Sequence, residues 1–171
     1  MQSQIVGIVT QEKEAVGDIM DEIKKSAGTT ETSTEAFNKA ADINTKINKM
    51  DLSAEDKLTL VDYTRSKMYT NYGTRKEDTV HDIYKEMTGE TIGKPNTMFK
   101  KEVGDFQVGG KIDGQLEDGT VIEIKNRTRC LFAEVREYEG IQIQTYLQLL
   151  EQEKAHLVEC YNDGTQKHVN I

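Results

Sequence analysis

Two acidic residues and a lysine lie close to a short turn in the second half of the chain. Asp113 precedes the turn, and Glu123 and Lys125 follow it two residues apart. Carboxylate oxygens suit Mg²⁺, which usually keeps several waters, so two carboxylates are enough to hold it. Hydrolysis of a phosphodiester needs such a metal cluster together with a group that orients or deprotonates water. The three residues therefore indicate metal-dependent phosphodiester hydrolysis.

The length of the loop between these residues decides whether their side chains meet. A two-residue turn at Asp118-Gly119 would put Asp113 and Glu123 on opposite faces of the hairpin and mix apolar with charged residues, which burial disfavours. A three-residue loop, Glu117-Asp118-Gly119 with a left-handed Gly119, separates the two faces. We predict this odd loop, with both carboxylates on the polar face. The competing interpretation is an ordinary solvated hairpin, because one-sided sheets alternate in the same way.

The periodicity of apolar residues predicts the elements around this hairpin. Helices are expected over residues 1 to about 27, over 35–49, from Ser53 to a stop at Gly73, and from Thr74 to about Thr88. Residues 28–34 predict a polar linker, and the poorly apolar stretch 35–49 a solvated arm or a partner-facing helix. Strands are expected at Thr97–Glu102, Phe106–Leu116 and Thr120–Asn126, followed by a helix near 138–152, a strand at His156–Tyr161 and a short edge strand. The connecting helix makes the third and fourth core strands parallel.

Composition narrows the class of protein. A chain of 171 residues suits one domain, and its net charge of -8 argues against a general nucleic-acid coat protein. A basic rim near the hairpin is still available for phosphates. The two cysteines form no CxxC motif, which disfavours a zinc or iron–sulfur site. No apolar run approaches the roughly 20 residues of a membrane helix, and the N-terminus does not resemble a secretory signal. We expect an intracellular protein, in the cytoplasm or nucleus.

These residues resemble a known superfamily. Gly110-Lys-Ile-Asp113-Gly followed by Glu123-Ile-Lys125 is similar to the core of the PD-(D/E)xK nucleases. Gln142-Ile-Gln-Thr-Tyr146 resembles the QxxxY element of the RecB-like and lambda-exonuclease-like branch, and Gly73-Thr-Arg-Lys-Glu77 resembles its first core helix. The string Glu-Ile-Lys-Asn-Arg is especially similar to the nucleases of phages and large DNA viruses, which implies that a viral factory is a further possible location. The resemblance covers roughly residues 65–161, with Ile112 in place of the proline that names the superfamily.

The resemblance implies both a fold and a site. The fold would be α/β (α+β), with a restriction-endonuclease-like αβββαβ core and a mixed central sheet flanked by helices, over residues 51–171, after a helical extension over residues 1–50. Asp113, Glu123, the Ile124 carbonyl and Glu77 would hold Mg²⁺ or Mn²⁺. Lys125 would orient the attacking water, Gln142 would hold this lysine or a phosphate, and Tyr146 would contact DNA or the catalytic residues.

Several of these residues also have simpler interpretations. Glu77 could complete a capping box with Thr74, and Tyr146 could be a half-buried core residue. His81 lies on the same helix face as Glu77 and could contact phosphate or be an ordinary surface histidine. Candidate phosphate ligands, which could equally be ordinary surface residues, are Lys111, Arg127, Arg129 and Arg136.

Three functions remain open at this point. The first is a metal-dependent DNA exonuclease, or a nuclease acting on ends and branched structures in recombination, repair or replication. The second is a sequence- or structure-specific endonuclease. The third, a catalytically silent DNA-binding or assembly module, is disfavoured because all the catalytic positions are filled. The expected partner is DNA, no membrane contact is expected, and the N-terminal helices are candidates for homo-oligomer or protein contacts.

Overall fold

The computed structural model describes residues 13–171 and divides into two compact units. Among the described residues, the helical unit comprises residues 13–75 together with Asn162–Lys167, and the sheet unit comprises Lys76–Tyr161 and His168–Ile171. The boundary falls inside a helix, and the predicted division near residue 50 stays a prediction. The α+β class with a mixed sheet is confirmed. Within the described residues, no helix has the length and apolar character that crossing a membrane requires.

The helical unit contains α1 (Lys13–Thr29), α2 (Ser33–Lys49) and the first part of α3 (Ala54–Thr88). The first twelve residues of the predicted N-terminal helix lie outside the described part of the chain. The predicted linker shrinks to residues 30–32, because the Thr32 hydroxyl accepts a hydrogen bond from the Glu35 amide and caps α2. The prediction that α2 is a solvated arm is wrong. Ala36 and Ala40 are buried, and so are Ile43 and Ile47, which join the core of this unit.

α3 is one continuous helix of 35 residues, so the predicted stop at Gly73 is wrong. A glycine inside a helix costs only about 1 kcal/mol, which packing on both sides offsets. Buried residues before and after it, Met68, Tyr72 and Val80, anchor the helix through this point. A further consequence concerns Glu77. Because Thr74 lies inside the helix, it is not an N-cap, and the capping-box interpretation of Glu77 is excluded.

The sheet unit holds two sheets. β1 (Phe99–Val103) and β2 (Phe106–Gly110) form an antiparallel hairpin, and β3 (Gly114–Gln115), β4 (Val121–Arg127), β5 (Ala155–Asn162) and β6 (Lys167–Asn170) form a mixed sheet in that order. The single strand predicted over Phe106–Leu116 is therefore wrong, because the chain leaves the ladder at residues 111–113. Tight packing on both sides accompanies this break. A Cβ on Gly110 would lie 2.5 Å from Cε1 of Tyr146, and one on Gly114 would collide with Ile92.

The odd loop between β3 and β4 is confirmed. Gly114 pairs with Ile122 and Gln115 with Val121, which leaves a three-residue loop closed by the Leu116 amide on the Thr120 carbonyl at 2.9 Å. Gly119 has a φ of 93°, the left-handed conformation that the loop requires. Leu116, Ile122 and Ile124 of one face then enter the core of the sheet unit, where they join Ile92 and Val158.

The crossover after β4 is also confirmed. α4 (Glu137–Leu150) connects β4 to β5, and the two strands are parallel, with Glu123 opposite Leu157 and Lys125 opposite Glu159. α4 therefore packs along the strand that carries the conspicuous charged residues. It ends at Glu151, whose φ of 55° is the left-handed conformation common after a helix.

Candidate active site

Asp113 and Glu123 face each other across the open end of the β3–β4 hairpin. The register that pairs Gly114 with Ile122 places residue 113 opposite residue 123, one step beyond the ladder. The Oδ2 atom of Asp113 accepts a hydrogen bond from the Ile124 amide at 2.8 Å, which fixes the carboxylate beside β4. The two carboxylates thus meet on the polar face, as the odd loop requires.

Glu123 is a buried acid whose charge lacks full compensation. Only 2% of the residue is exposed, and its Oε2 atom has no hydrogen-bond partner among the described residues. Burial, followed by the nearby charge of Asp113, raises the pKa of Glu123 to about 7 against the opposing Lys125 hydrogen bond. Burial also raises the pKa of Asp113, although the Ile124 amide opposes the change. A carboxylate in such a position is typical of a functional site.

Lys125 connects the carboxylates to α4. Its Nζ atom donates to Glu123 Oε1 at 2.7 Å and to Gln142 Oε1 at 3.0 Å, and the side chain is 22% exposed. Gln142 in turn donates from Nε2 to the hydroxyl of Tyr146 at 2.9 Å. The i, i+4 spacing of Gln142 and Tyr146 places both on one face of the helix. Four predicted site residues therefore form one hydrogen-bonded chain.

α3 contributes two further groups to the same cluster. Glu77 and His81 are both half-buried and lie one turn apart. Burial raises the pKa of Glu77, and the charge of Asp113 adds to the rise, while Lys94 and Lys111 oppose it. Burial lowers the pKa of His81, and its Nε2 atom has no hydrogen-bond partner among the described residues. Both side chains are thus electrostatically coupled to Asp113.

The predicted basic rim is only partly exposed. Lys111, Arg129 and Arg136 are exposed, and Arg136 pairs with Glu134 at 2.8 Å. The structure contradicts the phosphate-binding position predicted for Arg127. This residue is 8% exposed, and its guanidinium lies in the interior, bound to Glu139 and Glu159. An arginine paired with two buried carboxylates in this way is not placed to receive a phosphate from solvent.

The partners of Arg127 are the residues that sequence reasoning missed. Glu139 and Glu159 are 0% and 1% exposed, and each accepts a 2.6 Å hydrogen bond from the Arg127 guanidinium. Although burial would raise the pKa of Glu139, hydrogen bonds from Arg127 and the Arg136 amide hold it below its ordinary value. The one hint in the sequence is the even spacing of Glu123, Lys125 and Arg127, which predicts a common strand face.

The donor set fits a hydrated divalent cation. Within residues 13–171, no three histidine, cysteine, aspartate or glutamate side chains converge into a ready-made metal cage. Mg²⁺ does not require one, because it binds through one or two carboxylates and keeps several waters. The unpartnered Oε2 of Glu123 and the raised pKa values of both acids describe negative charge that a cation would compensate.

An apolar groove of about 610 Å³ lies elsewhere, between the β1–β2 hairpin and another face of α4. Val103, Val108, Ile141 and Leu149 contribute its apolar walls, and none of the residues of the carboxylate cluster lines it. It is therefore separate from the candidate active site.

An α+β core with paired carboxylates and an adjacent lysine is the pattern of the PD-(D/E)xK nucleases, and this chain has that pattern. Residues 6–156 match the family described as the YqaJ-like viral recombinase domain, and the chain belongs to this lambda-exonuclease-like family. Membership supports a recombination-related nuclease. No curated protein matches the chain.

Proposed function

We propose that this protein is a metal-dependent deoxyribonuclease that degrades DNA from its ends during viral recombination. The observation that carries the proposal is the convergence of Asp113, Glu123 and Lys125 on one face of the β3–β4 hairpin. Two acids and a cation in this arrangement suit phosphodiester hydrolysis, in which negative charge must be neutralised and a water positioned. The family to which the chain belongs supports the same activity.

Asp113 and Glu123 would hold Mg²⁺ or Mn²⁺, together with the Ile124 carbonyl and, directly or through water, Glu77. When bound, the cation would supply the positive charge that stabilises the scissile phosphate. The raised pKa values of the three acids support this role, because a bound cation would offset the burial and like-charge repulsion that disfavour their ionised forms.

Lys125 would orient the attacking water or stabilise charge on the phosphate. Gln142 supports this role because its Oε1 atom accepts a hydrogen bond from Lys125 Nζ at 3.0 Å. Lys125 Nζ also donates to Glu123, so two acceptors fix its position. The Tyr146 hydroxyl accepts a hydrogen bond from Gln142 in turn, and Tyr146 would contact either the catalytic residues or the DNA backbone. Each of these hydrogen bonds restricts the lysine to one geometry, which is how an enzyme pre-organises a catalytic group.

A small set of groups near the cluster would contact the phosphates of the substrate. Lys111 directly precedes the Ile112-Asp113 pair and is exposed, and Arg129 and Arg136 lie exposed on the connection between β4 and α4. His81 lies within electrostatic range of Asp113 and would face the same phosphate. Arginine and lysine suit this role because phosphate contacts are largely electrostatic.

The proposal is tested with purified protein on labelled linear and circular DNA, with Mg²⁺, with Mn²⁺ and with EDTA. We expect degradation of linear DNA only, dependence on metal, and no activity in Lys125→Ala. Lys85→Ala, at an exposed lysine in the last turn of α3, serves as the matched control and should retain activity. Cleavage of circles would replace the exonuclease with an endonuclease. Full activity in Lys125→Ala, or an inert wild type under every condition, would refute the assignment.

A further inference from the structure

A buried charge cluster lies on the same strand as the candidate active site. Arg127 follows Lys125 by two residues on β4 and binds Glu139 of α4 and Glu159 of β5. The ring of Phe132 covers the guanidinium at 4.0 Å. None of the functions assigned above uses this cluster. A buried group of three charges is costly to desolvate and is weak evidence for stability alone, which leaves its role to be explained.

The geometry relates this cluster directly to Lys125. Arg127–Glu139 and Lys125–Gln142 are contacts between the same strand and the same helix. Two residues along β4 advance about 6.6 Å, and three residues along α4 advance about 4.5 Å. The two contacts are therefore neighbours, and β4 and α4 run in opposite directions past each other. We call them the Arg127 rung (Arg127–Glu139) and the Lys125 rung (Lys125–Gln142).

The rungs also share one stripe of the helix. At about 100° per residue, positions 139, 142 and 146 fall within an arc of about 60°. A one-residue slip of α4 would rotate this stripe by about 100° and break the two rungs together. The Arg127 rung is buried away from solvent, whereas the Lys125 rung is partly exposed. The Arg127 rung therefore sets the register, and the Lys125 rung follows it.

We propose that Arg127 is a positioning residue, which fixes the rotation and axial position of α4 so that Gln142 holds Lys125 in its working geometry. Glu159 supports this by binding the amides of Phe132 and Ala133 at 3.2 and 2.9 Å, which ties down the connection that leads into α4. The requirement for arginine follows from its fork, since one guanidinium reaches two carboxylates and an ammonium cannot reproduce both contacts.

The inference rests on the proposed nuclease activity, so the test includes a readout that does not depend on catalysis. Arg127→Lys is compared with Gln142→Ala, the double variant, and Val158→Ala as a control for lost core packing at a buried residue of β5. Arg127→Lys and Gln142→Ala should each lower kcat by about tenfold, the rate equivalent of one hydrogen bond, with KM unchanged. Because both act through Lys125, the double variant should also lose about tenfold, rather than about a hundredfold.

The second readout is the NMR signal of the Lys125 side-chain methylene next to Nζ. Arg127→Lys should shift this signal in the same direction as Gln142→Ala, and Val158→Ala should leave it in place. If wild type proves inert on DNA, the proposed function fails, and the NMR comparison still decides the positioning role. If Arg127→Lys does not fold, Glu139→Ala replaces it under the same criteria, since it leaves a balanced Arg127–Glu159 pair.

Four results would overturn the inference. Two are an unchanged kcat in Arg127→Lys and an equal loss in Val158→Ala. The others are a kcat of the double variant that falls by the product of the two single losses, and a Lys125 NMR signal that Arg127→Lys does not shift.

Discussion

Glu123→Gln should make the metal-free protein more stable at neutral and alkaline pH. The glutamine keeps the size of the side chain and removes the charge that burial penalises. In the folded protein the pKa of Glu123 is raised from its ordinary value of 4.5 to about 7, because its carboxylate is buried beside Asp113. The substitution therefore removes an unfavourable ionisation from the native state without creating a cavity.

The sign and size of the effect follow from proton linkage. A carboxyl group whose folded pKa lies above its unfolded value favours folding below pH 4.5, and this contribution is lost as pH rises through 7. Each pKa unit is worth about 1.4 kcal/mol, so a rise of about 2.5 units corresponds to about 3 kcal/mol. Glutamine does not titrate. The stability gain should therefore be near zero at pH 4.5 and reach about 3 kcal/mol above pH 7.

The measurement is urea denaturation followed by circular dichroism at pH 5, 6, 7 and 8 in EDTA. Glu117→Gln, at an exposed acid in the loop before β4, is the matched control and should change little at any pH. Adding Mg²⁺ should then raise the stability of wild type and leave Glu123→Gln nearly unchanged, because binding to the folded state stabilises it by mass action. A gain that is absent at pH 8, or equal at pH 5 and pH 8, would refute the argument from burial.

Three further predictions concern other contacts of the sheet unit. Gly114→Ala should destabilise the protein by about 1–3 kcal/mol in urea denaturation, because the new methyl group collides with Ile92; an unchanged midpoint would contradict the close packing. Tyr84→Phe should cost about 1 kcal/mol through loss of the 2.8 Å hydrogen bond to Nδ1 of His156, and a loss of nuclease activity at full stability would contradict this structural role. Asp113→Asn should weaken Mg²⁺ binding at least tenfold in isothermal calorimetry, and equal affinity would remove Asp113 from the metal site.

The hairpin that carries the site is predictable from sequence because two constraints agree there. Side chains of a strand alternate, so a one-residue change of register would move Ile122 and Ile124 out of the core. Only the odd loop keeps the apolar face together, and Gly119 is available for its left-handed position. Local pattern and burial therefore select the same register.

Long-range packing explains where prediction from sequence failed. Gly73 predicts a helix end on local propensity, but buried residues on both sides of it carry α3 through. Arg127 resembles a surface arginine because its partners lie 12 and 32 residues further along the chain. No local pattern pairs these three residues, since their contact depends on the crossover that brings α4 and β5 beside β4.

Two charge groups on one strand distinguish the scaffold from the site. At Arg127 opposite charges pair in the interior, and hydrogen bonds hold the pKa of Glu139 below its ordinary value. Toward the other end of β4, Glu123 keeps an unpartnered oxygen, and its pKa is raised to about 7. A buried carboxylate whose ionisation is unfavourable costs stability unless a bound cation compensates its charge. We therefore expect the ligand at the Glu123 end of β4, and we propose that the paired charges at the Arg127 end hold α4 in place to meet it.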